Sequence, residues 1–144
     1  MPLVGYGGLR SIALQAGKTV IVAPATGGFG GAAALVAVAM GARVIAIGRN
    51  QESLRHLQDL STRIETVTIS GYQESEMSNL AKFGHADALL DLSPPQASQP
   101  TMLRNGIKSL RKGGRVSLTG RHFGDDVSLP VFDFIIKDLT MGGQ

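Results

Sequence analysis

The residues of this 144-residue chain best suited to chemistry lie in two short stretches about twenty residues apart. The first is Ala25-Thr26-Gly27-Gly28-Phe29-Gly30-Gly31, a glycine turn between the apolar run Thr19–Ala23 and an alanine-rich helical run. A strand, a glycine turn and a helix in this order present backbone N–H groups at the positive end of a helix, where a pyrophosphate can be held. Gly27 lets the chain bend, Gly28 and Phe29 offer their N–H groups, and Gly30 permits helix and strand to pack closely. The second stretch, Gly48-Arg49-Asn50, closes the next apolar run, Val44–Ile47. An acidic side chain there would accept hydrogen bonds from a free ribose 2′-hydroxyl. Gly48 leaves that place empty, and Arg49 brings a planar cation matched to a phosphate, so the pair points to NADP(H). Each stretch also has a plainer reading: a structural α/β turn, a solvated cation at a strand end, and Asn50 as a helix cap.

The elements that must position these residues follow from hydrophobic periodicity. Strands are predicted at Thr19–Ala23, Arg43–Ile47, Ile64–Ile69, Ala88–Leu92, Arg115–Thr119 and Leu139–Gly142. Helices are predicted at about Gly28–Met40, after Asn50 with Leu54, Leu57 and Leu60 on one face, and at Glu74–Phe83 with Met77, Leu80 and Ala81 inward. Two more are expected at Thr101–Arg111, marked by Leu103, Ile107 and Leu110, and near Pro130 with Phe132, Ile135 and Ile136 inward. Lys112-Gly113-Gly114 reads as the turn into the fifth strand. Strand and helix alternate throughout, which predicts an α/β, doubly wound, mostly parallel six-stranded Rossmann sheet with helices on both faces. The whole of residues 1–144 is expected to be one NADP(H)-binding domain. In such a sheet Leu92, Ser93, Gly120 and Arg121, after the fourth and fifth strands, either face the nicotinamide or are ordinary loop residues.

Composition narrows the function. Hydrophobic residues make up 43% and charged residues 17%, so the chain should fold rather than remain disordered. The net charge is +3, but the fourteen Lys and Arg are scattered, and no nucleic-acid footprint emerges. Without cysteine there is no disulfide and no thiolate metal site in this chain, and no zinc is expected in it. No signal-peptide layout is visible, and the longest apolar stretch, Gly31–Ala42, is short of the roughly twenty residues a membrane span needs. A cytoplasmic location and no membrane partner are expected. Catalytic residues are not assigned: His56 and His85 lie away from the crevice, His122 alone is on its edge, and Asp91 reads as a buried, hydrogen-bonded carboxylate. A Tyr-x-x-x-Lys pair is absent, since Arg10 follows Tyr6 and Glu76 follows Tyr72 at that spacing. No Gly-Lys-Ser/Thr follows the glycine turn, and the missing acid after the second strand argues against a methyltransferase.

Several stretches resemble one family, the medium-chain dehydrogenases/reductases, which include zinc-type alcohol dehydrogenases and zinc-free quinone and enoyl reductases. Leu14-Gln15-Ala16-Gly17-Lys18-Thr19-Val20-Ile21-Val22 is similar to their lead-in to the first strand. Ala25–Gly30 is similar to their glycine motif, Met40–Ala46 to their second strand, and Ala86–Asp91 and Leu110–Val116 to their fourth and fifth strand regions. The likeness covers about residues 9–142 and implies a strand order of 3-2-1-4-5-6. It further implies an NADP-dependent oxidoreductase that interconverts an alcohol and a carbonyl or reduces an activated double bond. In that family a separate catalytic domain precedes the cofactor domain, and its ligands hold any metal. This chain is therefore expected to be incomplete for catalysis alone. It is either the cofactor part of such an enzyme or a stand-alone, non-catalytic NADP(H)-binding or subunit-assembly module. The family also pairs its sixth strands across a dimer, so a homodimer through Leu139–Gly142 is expected.

Overall fold

The computed structural model describes residues 15–25, 28–69, 72–92, 100–118 and 130–143. Its elements are β1 (Thr19–Ala23), α1 (Gly28–Ala39), β2 (Arg43–Gly48), α2 (Gln51–Leu60), β3 (Ile64–Thr68) and α3 (Gln73–Ala81). They continue with β4 (Ala86–Asp91), α4 (Pro100–Lys108), β5 (Leu110–Leu118), α5 (Val131–Lys137) and β6 (Thr140–Gly143). The strands form one sheet in the order β3-β2-β1-β4-β5-β6, and every neighbouring pair is parallel. This is the order the resemblance implied.

The central strands β1, β2 and β4 are apolar nearly without interruption because helices cover both of their faces. Alternation along each strand divides the core in two. On one face Val20, Val22, Val44, Ala46, Ile64, Ala88 and Leu90 pack with Ala33, Ala34 and Ala37 of α1 and with Leu54 and Leu57 of α2. On the other, Ile21, Ile45, Ile47, Val67, Leu89 and Val116 meet Leu80 of α3 and Leu103 and Ile107 of α4. Each fully buried Ile or Leu contributes about 2 kcal/mol. The alanines let α1 settle close to the sheet. Its end is set by Gly41, whose φ of +89° a side chain would strain. A Cβ there would also stand 2.8 Å from Ala16 Cβ.

Five expectations are corrected. β5 starts at Leu110, so the residues read as a turn lie inside the strand. Ala86 pairs with Leu110 but Ala88 with Arg115, and this bulge consumes Lys112-Gly113-Gly114. Helix α4 accordingly ends at Lys108. In α5, Phe132, Ile135 and Ile136 face outward rather than inward. Phe134 packs on the core instead, and Lys137 Nζ donates to the Lys108 carbonyl at 2.7 Å, one of the end carbonyls of α4. Asp133 adds ion pairs to Lys108 at 3.8 Å and Lys137 at 3.7 Å, so the polar stripe of this short helix is its inner one. In α3, Ala81 is exposed while Glu76 is buried, where it accepts a hydrogen bond from Asn105 Nδ2 at 3.1 Å. Leu60 is exposed because α2 ends there and Ser61 is already extended.

Candidate functional site

At the carboxyl edge the backbone ladder runs past the strand ends. Ala25 N donates to Ile47 O, Ile69 N to Gly48 O and Leu92 N to Ala23 O, each at 2.8 Å. The exits of β1, β2, β3 and β4 are thereby fixed side by side. The chain leaves β1 for α1 on one face, while β4 leads on to β5 by way of the opposite face, so the boundary between β1 and β4 is the topological switch point of the sheet.

The first turn of α1 crosses directly over the exit of β1. A Cβ on Gly30 would lie 1.9 Å from Pro24 O and 2.8 Å from Ala25 Cα, so only glycine allows this approach. The structure thus brings Gly30 onto Pro24 and the buried Ala25. Gly28 and Phe29 open the helix, which carries no acidic residue in its first turn. No carboxylate of its own therefore competes for the positive end of the helix dipole. Thr26 and Gly27 lie outside the described residues.

Gly48 is buried at the end of β2, and Arg49 and Asn50 follow it at the surface. Asn50 caps α2, its Oδ1 accepting from Ser53 N at 3.1 Å. Beside Gly48 stands Thr68, its register partner on β3, which sequence reasoning did not single out. Only long-range pairing brings it there. Leu92 is buried next to the end of β1. Asp91 is 2% exposed and opposed by Ala23 and Leu118, in keeping with the expectation of a buried carboxylate. Ser93, Gly120, Arg121 and His122 lie outside the described residues.

Other chemistry-bearing groups stand elsewhere. His56 is exposed on α2, and His85 is exposed at the amino edge, beside a shallow depression with Met77, Lys108 and Ser109. Asp87 is also at the amino edge. Burial works to raise its pKa, but the Thr19 N–H bond, the Arg111 hydrogen bond and the charges of Arg111 and Lys18 outweigh it and hold the carboxyl below its usual 3.8. Among the described residues no three His, Cys, Asp or Glu side chains gather as a metal site would need. Among them, too, no helix is long and apolar enough to cross a membrane.

Comparison with known proteins places this architecture. The zinc-binding dehydrogenase family matches residues 28–144. Acryloyl-coenzyme A reductase from Metallosphaera sedula is 35% identical over 115 residues, which are 80% of this chain and 31% of that protein. The alcohol dehydrogenase TADH from Thermus sp. ATN1 superposes with a TM-score of 0.81 at 26% identity, over 99% of this chain and 40% of that one. The nucleotide-binding subdomain of the enoylreductase domain of PpsC from Mycobacterium tuberculosis gives a TM-score of 0.74 at 25% identity, over 99% of this chain and 77% of that one. The chain thus spans less than half the length of the first two proteins. It belongs to the zinc-binding dehydrogenase family and corresponds to the cofactor-binding domain of the medium-chain dehydrogenases/reductases.

Proposed function

We propose that this chain is the NADP(H)-binding domain of an oxidoreductase that reduces an activated double bond or interconverts an alcohol and a carbonyl. The observation that supports the cofactor choice is Gly48-Arg49 at the end of β2: the strand ends without an acid for a free 2′-hydroxyl, and the exposed residue that follows is a cation suited to a 2′-phosphate. Ala25, Thr26, Gly27, Gly28, Phe29 and Gly30 would hold the pyrophosphate, Gly48, Arg49 and Asn50 the phosphorylated ribose, and Leu92, Ser93, Gly120 and Arg121 the nicotinamide side. The bound nicotinamide supplies a hydride. The names of the acryloyl-coenzyme A reductase and the enoylreductase favour an activated double bond as acceptor. Groups that position the substrate and stabilise charge on it are assigned to a catalytic part outside these residues. Arg49→Ala is expected to weaken NADPH binding by roughly 1–3 kcal/mol, the loss of a charged hydrogen-bond partner, and to leave NADH nearly unchanged. Equal losses for both nucleotides, measured by titration calorimetry, would remove Arg49 from the 2′-phosphate.

The partner we propose is a second copy of the chain, paired through the edge strand β6, expected at Leu139–Gly142 and running Thr140–Gly143. An unpaired strand edge is a template for another strand, and a twofold axis lets one edge satisfy itself. Met141 on β6 and Phe132, Ile135 and Ile136 on α5 also expose apolar surface, Phe132 at 70% and Ile135 at 72%. Light scattering should report a dimer, and Ile135→Glu should shift it toward monomer. A wild-type monomer at micromolar concentration would overturn this pairing.

A further inference from the structure

We infer that Arg55 is a second cation for the 2′-phosphate of NADP(H), reaching it from α2 beside the end of β2 together with the Thr68 hydroxyl. This rests on the NADP(H) reading above. Gly48 and Thr68 are register partners, and alternation puts both on the sheet face that α2 covers, the face of Val44, Ala46 and Ile64. The rotation of α2 is fixed by buried Leu54 and Leu57 and by a contact on its flank, where Thr66 Oγ1 donates to Gln58 Oε1 at 3.5 Å. That contact turns the flank bearing Gln51, Arg55 and Gln58 toward β3.

Helix α2 runs back along the sheet, opposite in direction to β3. One turn before Gln58 is about 5.4 Å nearer the carboxyl edge, close to the roughly 6.6 Å that separates Thr66 from Thr68 along the strand. Arg55 therefore stands at the level of Thr68. Helical side chains lean toward the helix N-terminus, which carries the guanidinium farther toward the edge where Arg49 lies. Arg55 is exposed, and it forms no hydrogen bond or ion pair with any described residue. Glu52 and Asp59, three residues before and four after it, are within helical reach, and neither pairs with it. A phosphate monoester has three oxygens to share, so one guanidinium leaves acceptors for a second and for a hydroxyl.

The test titrates the wild-type protein, Arg55→Gln and Arg55→Lys with NADPH and with NADH, alongside melting temperatures. Arg55→Gln should lower NADPH affinity about tenfold and leave NADH within about twofold, and Arg55→Lys should recover part of the loss. Unchanged NADPH affinity in Arg55→Gln, or equal losses for both nucleotides at an unchanged melting temperature, would overturn the role of Arg55 alone. Wild-type protein that binds NADH as tightly as NADPH would overturn the cofactor reading and this inference with it.

Discussion

At the amino edge of the sheet, Asp87 accepts the Thr19 N–H at 2.8 Å and pairs with Arg111, while Arg43 lies 5.6 Å from the centre of the Phe83 ring and donates to its carbonyl at 3.4 Å. At the carboxyl edge the corresponding positions are Ala23, Ala25, Gly30 and Gly48. Charged and aromatic side chains tie strands together where the chain needs only to be held. At the last residues of β1 and β2 small residues stand instead, while Asp91 stays buried at the end of β4. On the proposed function, changes at the two edges of the sheet should register in different measurements.

The largest effect is expected at the carboxyl edge. Gly30→Ala drives a methyl into Pro24 O and should cost about 3 kcal/mol or more, since it meets the backbone of Pro24 and Ala25 rather than a flexible side chain. Thermal unfolding reads this loss, and nucleotide binding should fall with it. A variant as stable as wild type would mean that the α1–β1 contact is looser than described. Arg49→Ala comes next: on the proposed function it should lower NADPH affinity far more than stability, because the residue is exposed and interactions at an exposed charge are worth little to the fold.

The smallest effect is at the amino edge. Asp87→Asn keeps an acceptor for Thr19 N–H but loses the charge toward Arg111 and Lys18. Solvent around the half-exposed Arg111 screens that pair, so the cost should stay below about 1 kcal/mol. Because the carboxyl is held below its usual 3.8, its contribution is present at neutral pH and is lost as pH falls through 3.8 toward the lower folded-state value. Stability followed by urea unfolding should therefore converge for wild type and Asp87→Asn under acid conditions. Nucleotide affinity should be alike in both proteins at neutral pH. An affinity change there would show that the two edges are coupled.

These contrasts explain what the sequence disclosed. β1, β2 and the glycine turn were legible because buried parallel strands are apolar throughout and because a close approach demands Gly30, both local signals. The end of β2 at Gly48 was legible for the first of these reasons. Thr68 was not, since its place beside Gly48 depends on the register of β3 against β2. The inner face of α5 was misread because seven residues show too little periodicity, and its orientation is set by Lys137 and Asp133 reaching α4. The start of β5 was hidden because a bulge uses the same glycines as a turn. Buried Glu76 had no signal in the chain, as its partner Asn105 arrives from another helix.

The central claim is that the end of β2 selects the phosphorylated dinucleotide. Titration calorimetry of the wild-type protein with NADPH and then NADH tests it most directly. The account predicts NADPH binding tighter by about tenfold or more, the worth of one charge-assisted phosphate contact. Equal affinities, or a preference for NADH, would contradict it.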